Sequence, residues 1–231
     1  MALIVPGPMA GQISGRLGST VFSHNKGGPY VRNGTIPTTS YTAYALAAKA
    51  RLSAASSAWQ SLTAGQRGAW KEWGIENPVT NRVGHQITLT GISAFAGIYT
   101  RLTIVGQPTL TAPPIDPAPQ PLTALTLHLD IGPGAFDATF TPTPTGAAEV
   151  LWLQAAITDS PAVNNVNTQL RLIGGSGAAV ASPFDFQDEI EARLGALVVD
   201  QTVNLFASIF SNTTGLLSQP LRATGLVTDT T

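Results

Sequence analysis

The chain has 231 residues, 12 Lys/Arg against 13 Asp/Glu, and no cysteine, which excludes disulfides, thiolate catalysis and Cys-ligated zinc. Charged residues make up 11%, less than half the usual share of about 25%, so the surface is polar through hydroxyls and backbone, a composition better suited to β-structure and broad protein contacts than to a free cytosolic enzyme. Residues 1–115 hold nine Lys/Arg and two Asp/Glu, and residues 116–231 three and eleven, a polarity that favours head-to-tail association or a basic half seated on an acidic partner.

The length suffices for two domains. The start, Met1 to Pro8, lacks the basic and apolar regions of a secretory signal, and no apolar window reaches the 18 or more residues of a membrane helix. Gln12–Ser14, Ser19–Ser23 and Tyr30–Arg32 read as strands of a glycine-punctuated β-unit, with Asn25-Lys26-Gly27-Gly28 as the hairpin turn. From Ser40 the period becomes helical: Tyr41, Ala45, Ala48, Leu52, Ala55, Trp59 and Leu62 fall on one alanine-rich stripe. Thr63-Ala64-Gly65-Gln66 is a capping-box signature for a second helix, Ala64 to Trp73. Trp59, Trp70 and Trp73 are expected to form the aromatic core of this helical pair, the alternative being a partner-binding surface.

Ile87–Leu89 reads as a short strand and Ile92 to Leu102 as a further helix. The stretch Gly106 to Pro121 contains six prolines and reads as a stiff, extended connector. Beyond it the period is two, through Leu125, Leu127 and Leu129, Phe136 to Phe140, Val150 and Trp152, Leu170 and Leu172, Val203 to Ile209, and Leu221 to Val227. These are the strands of a β-sandwich, with a helix inserted at Asp185 to Leu194. The expected organisation is an α+β assembly domain of hairpin and helices at 1–106, a Pro-rich linker at 107–121 and an all-β sandwich at 122–231.

Catalytic signatures are weak. His24, His85 and His128 lie in separate segments without a second ligand at metal spacing, and His24, beside the hairpin turn, reads as an exposed polar residue. Asp185, Asp188, Glu189 and Glu191 lack the alternating oxygen ligands and central glycine of a calcium loop and read as a solvated helix face. Gly27-Gly28 and Gly174-Gly175-Ser176-Gly177 lack the Lys-Ser/Thr of a phosphate loop and read as turns. No Gly-x-Ser-x-Gly elbow is present. A non-enzymatic protein without cofactor, metal or small-molecule substrate is expected.

The run Gly11-Gln-Ile-Ser-Gly15-Arg-Leu-Gly18-Ser-Thr-Val21-Phe22, with Asn25-Lys-Gly-Gly28 and Tyr30-Val31-Arg32, resembles the opening of poorly characterised structural proteins of tailed phages and prophage-like loci. Leu62-Thr63-Ala-Gly-Gln66-Arg67-Gly-Ala-Trp70 and Gly106-Gln107-Pro108 continue that resemblance over nearly half the chain. It implies a multi-copy structural or assembly role and supplies no catalytic residues. The C-terminal half resembles fibronectin type III or immunoglobulin-like modules, with Ala138-Thr-Phe-Thr-Pro142 as an early strand, Gly215 to Leu221 as the last hairpin and Trp152 as the core tryptophan. Such modules serve as spacers and decorations on particles.

The expected function is a virion component, capsid- or tail-associated, made in the bacterial cytoplasm without a signal peptide. Its partners would be copies of itself or other phage structural proteins, with no membrane contact. The expected interface draws on Arg16, Lys26, Tyr30, Arg32, Arg51, Arg67 and Lys71 on the basic side and Asp185, Asp188, Glu189 and Glu191 on the acidic side. Two alternatives stay open. One is a host-surface or glycan-binding module reading ligand through the loops Asn164–Gln169 and Ser211–Thr214. The other is a nucleic-acid-binding accessory protein acting through residues 1–106, whose helix pair has a helix-turn-helix outline.

Overall fold

A computed structural model describes residues 2–3, 13–25, 28–34, 42–80, 85–132, 136–143, 145–160, 163 and 166–229. The chain mixes helix and sheet and divides into two compact units, residues 1–49 and 50–231. The Pro-rich stretch at 107–121 falls inside the second.

The first unit is a four-stranded antiparallel sheet, β1 (Ala2–Leu3), β2 (Gly15–Leu17), β3 (Thr20–Asn25) and β4 (Gly28–Asn33), in the order β1-β4-β3-β2. Gly18, at φ +57°, supplies the left-handed residue that turns β2 into β3. The expected strand at Gln12–Ser14 is displaced: pairing starts at Gly15, opposite Phe22, and Gln12 lies outside the described residues. So does Lys26 of the hairpin turn. His24 is exposed on β3, across from Pro29.

Helix α1 (Ala43–Ser61) bridges the unit boundary. Its expected stripe is only half used, because Leu52 is 57% exposed while Ala55 and Leu62 are buried; Tyr41 is outside the described residues. The second unit continues with α2 (Ala64–Glu76), β5 (Val79–Thr80), β6 (Gln86–Ile87) and α3 (Gly91–Ile104). The capping box of α2 is complete: Gln66 N–H donates to Thr63 Oγ1 at 3.3 Å and Thr63 N–H donates to Gln66 Oε1 at 2.9 Å. Of the expected strand Ile87–Leu89 only Ile87 is extended in a ladder; Leu89 instead donates its N–H to Gly74 O at 3.0 Å, tying α2 to the start of α3.

Seven strands follow: β7 (Ala124–Leu129), β8 (Phe136–Thr141), β9 (Glu149–Thr158), β10 (Arg171–Ala178), β11 (Phe184–Asp185), β12 (Thr202–Ser211) and β13 (Leu221–Leu226), with helix α4 (Gln187–Leu194) between β11 and β12. They form antiparallel sheets of order β11-β8-β7 and β10-β9-β12-β13. One core lies between these sheets, with Phe136, Ala138 and Phe140 of β8 facing Leu151, Leu153 and Ala155 of β9 and Val203, Leu205, Ala207 and Ile209 of β12. Phe186 and Ile190, at the start and first turns of α4, plug it.

A second core covers the other side of the four-stranded sheet. Trp70, Ala94, Phe95, Ile98 and Leu102 of the helices pack with Val150, Trp152 and Phe210 of the strands. The expected helical aromatic core exists, with Phe95 at its centre, 5.6 Å from Trp59 and 5.4 Å from Trp70 in ring-centroid distance. Trp152, however, is not a tryptophan of the inter-sheet core. It points the opposite way from Leu151 and Leu153 and stacks 5.4 Å from Phe210 beneath the helices. The cause is the pleat, since neighbours on a strand face opposite sides and the central strands β9 and β12 are dry on both sides.

Two further expectations are corrected. Gly174 to Gly177 do not form a turn but lie within β10, where the pairing to β9 shifts register at Leu172/Gly174 and Gly175/Ala178, the bulges that glycine favours. The Pro-rich stretch is irregular and lies along the helices: the buried Trp70 donates its Nε1–H to Thr111 O at 3.1 Å, Leu110 joins the second core and Leu122 the first.

Candidate functional site

The expected interface residues fall into three places. Arg16, Tyr30 and Arg32 lie on the sheet of residues 1–49. Arg16 is exposed on the edge strand β2, its Nε–H donating to Gly18 O at 2.8 Å. Arg32 is exposed on β4 across from Val21, and Tyr30, half-buried, pairs with Ser23 on one side and Leu3 on the other. Lys26 lies outside the described residues. Outside Ala2, Leu3, Asn25 and Gly28, every described residue of this unit is half-buried or exposed, and Leu17 on the edge is 75% exposed.

Arg51, Arg67 and Lys71 belong to the second unit. Arg51 and Arg67 are half-buried on α1 and α2. Lys71 is exposed, yet its stem lies against the start of α3: a Cβ on Gly91 would sit 2.9 Å from Lys71 Cγ. The basic residues of the expected interface therefore divide between the units, two described ones, Arg16 and Arg32, in the first and three in the second.

The four carboxylates are gathered around one short helix. Asp185 Oδ1 accepts the Gln187 backbone N–H at 3.0 Å, Asp188 and Glu189 occupy the first turn of α4, and Glu191 Oε1 accepts from Gln187 Nε2 at 3.3 Å. Each position has a local reason, because negative charge near a helix N-terminus is favoured by the macrodipole. Ile190 on the opposite side anchors the helix in the core, which leaves Asp185, Asp188 and Glu189 exposed as an acidic ridge. Among the described residues no group of three or more His, Asp or Glu is arranged to hold a metal ion, and no helix is long and apolar enough to cross a membrane.

Of the loops considered for glycan contact, Asn167–Gln169 and Thr213 are exposed, while two residues turn inward. Ser211 and Thr214 are buried, and Thr214 N–H donates to Ser211 Oγ at 3.3 Å. Asn164 and Asn165 are outside the described residues.

One site was absent from the sequence reading. An open cavity of about 920 Å³ lies between α2 and α3 and is bordered by residues 113–118. Arg101 of α3 lines it, with Trp73, Glu72, Glu76 and Asp116. The signal in the sequence was an arginine at the 94-97-98-101 spacing, on the inward stripe of α3 where an apolar residue is the norm. Burial pulls the Arg101 pKa below its ordinary value.

No protein-family model, curated protein or solved structure matches the chain.

Proposed function

We propose that the chain is a non-enzymatic structural subunit of a multi-copy particle, with residues 1–49 as the arm that docks on neighbouring copies. The observation that carries this reading is a four-stranded sheet in which β2, Thr20–His24 and Pro29–Asn33 hold no buried residue. A sheet that buries no apolar face is marginal in water, and its edge β2 leaves backbone groups open to strand addition. Residues 1–49 also hold four Lys/Arg and no Asp/Glu, whereas residues 50–231 hold eight and thirteen. The arm is thus +4 and the body −5, so an arm from one copy is drawn to the body of the next.

The tailed-phage or prophage setting rests on the resemblance of residues 11–32 and 62–70. A fibronectin type III-like reading of the C-terminal half is supported by the pairing of a three-stranded sheet, β11-β8-β7, with a four-stranded one, β10-β9-β12-β13. The glycan-binding alternative keeps the exposed Asn167–Gln169 and Thr213 but not Ser211 and Thr214, which turn inward.

Light scattering of the full-length chain at low and high salt tests the assembly reading. Large regular species that shrink at high salt are expected. A monodisperse monomer at both salts that also fails to join isolated particles overturns it.

A further inference from the structure

The cavity between α2 and α3 has the volume of a small-ligand site. Its least exposed charge is Arg101, which donates one long hydrogen bond, Nη1–H to Gly215 O at 3.5 Å. A guanidinium carries five N–H donors in a planar fork. Here it is part-buried, and no described carboxylate forms an ion pair with it. A part-buried guanidinium with no carboxylate at ion-pair distance has donors to spare, and a planar carboxylate answers it with two parallel, charge-assisted bonds.

The rest of the wall narrows the ligand class. Trp73 and Leu89 offer apolar surface, and Gly97 faces open space, for a Cβ built there meets nothing within 4 Å. Glu72, Glu76 and Asp116 are exposed lining residues, which repel a polyanion such as nucleic acid or a polyphosphate but welcome a cationic group. We propose that this cavity binds the C-terminal end of a peptide, with the free carboxylate on Arg101, apolar side chains on Trp73 and a basic residue toward Glu72, Glu76 and Asp116. The site lies wholly within residues 50–231 and does not depend on the assembly reading.

The test uses the full-length protein and titration calorimetry, with tryptophan fluorescence as a second readout. The probes are the peptide Lys-Ala-Leu-Leu with a free carboxylate, the same peptide amidated at its C-terminus, and Glu-Ala-Leu-Leu. The free acid is expected to bind at least about tenfold more tightly than either control. Arg101→Met should erase the preference for the free acid over the amide, and Gly97→Leu, which fills the cavity at a helical position, should abolish binding. If Arg101→Met does not fold, Arg101→Lys keeps the charge without the fork and should weaken the free acid several-fold. Equal binding of acid and amide, unchanged binding by either Arg101 variant that folds, or no binding of any peptide at millimolar concentration overturns the proposal.

Discussion

Gly215 shows how a single residue can hold two layers together. It sits at φ +69°, and a Cβ there would come within 2.6 Å of Ile98 Cγ2 and 3.1 Å of Leu102 Cγ on α3. The turn after β12 therefore approaches α3 as closely as a backbone can, and Arg101 reaches the Gly215 carbonyl from the same helix. Gly215→Ala combines a left-handed alanine with overpacking, and we expect it to lower stability by about 2–4 kcal/mol, read as a reduced urea midpoint at unchanged slope. The sequence marks Gly215 as a turn residue, which is correct, but its real constraint comes from a helix 114 residues earlier in the chain. Spacing rules act over a few residues and carry no such information. The same holds for Trp70: its burial follows from helical period, whereas its bond to Thr111 O depends on where the irregular strap lies.

Among elements, α2 was the most legible and β9 the least. The Thr63–Gln66 capping box is a contact between residues three apart, so it needs only the local chain. Thr63→Ala should cost about 1 kcal/mol, and Gln66→Ala less, because the latter leaves the Thr63 hydroxyl in place for the Gln66 N–H; chemical denaturation of both variants checks the order. Strand β9, by contrast, is buried at Val150, Leu151, Trp152 and Leu153 in succession, and β12 at all positions but Phe206. A period-two reading assigns one wet and one dry face and so puts Val150 and Trp152 in the same layer as the other core residues. Continuous burial is the mark of a sheet covered on both sides, and in Val-Leu-Trp-Leu and Ala-Ser-Ile-Phe that mark was visible. What the sequence lacks is the identity of the cover, here α2 and α3, because nothing local pairs a helix stripe with a sheet face. The Arg101 cavity was hidden for the same reason: its walls come from α2, α3 and residues 113–118, brought together only by the packing.

For the whole molecule, the two cores and every buried residue among those described lie in residues 50–231. The chain beginning at Ala43, where α1 begins, should fold with a thermal midpoint within a few degrees of the full-length protein, because it keeps both cores. A midpoint lower by tens of degrees, or loss of cooperative melting, would contradict that expectation. If the assembly reading holds, the same truncation should remain monomeric at low salt.

Trp59, Trp70, Trp73 and Trp152 all belong to the seam between the helices and the four-stranded sheet, and the chain has no other tryptophan. Intrinsic emission is therefore a probe of that seam alone, blind both to the core between the two sheets and to the arm. Far-ultraviolet dichroism sees every strand. If the helices peel from the sheet before the sheets part, the emission maximum will shift to the red at a lower denaturant concentration than the dichroism signal is lost, and superimposed curves would mean that helices and sheets unfold as one body.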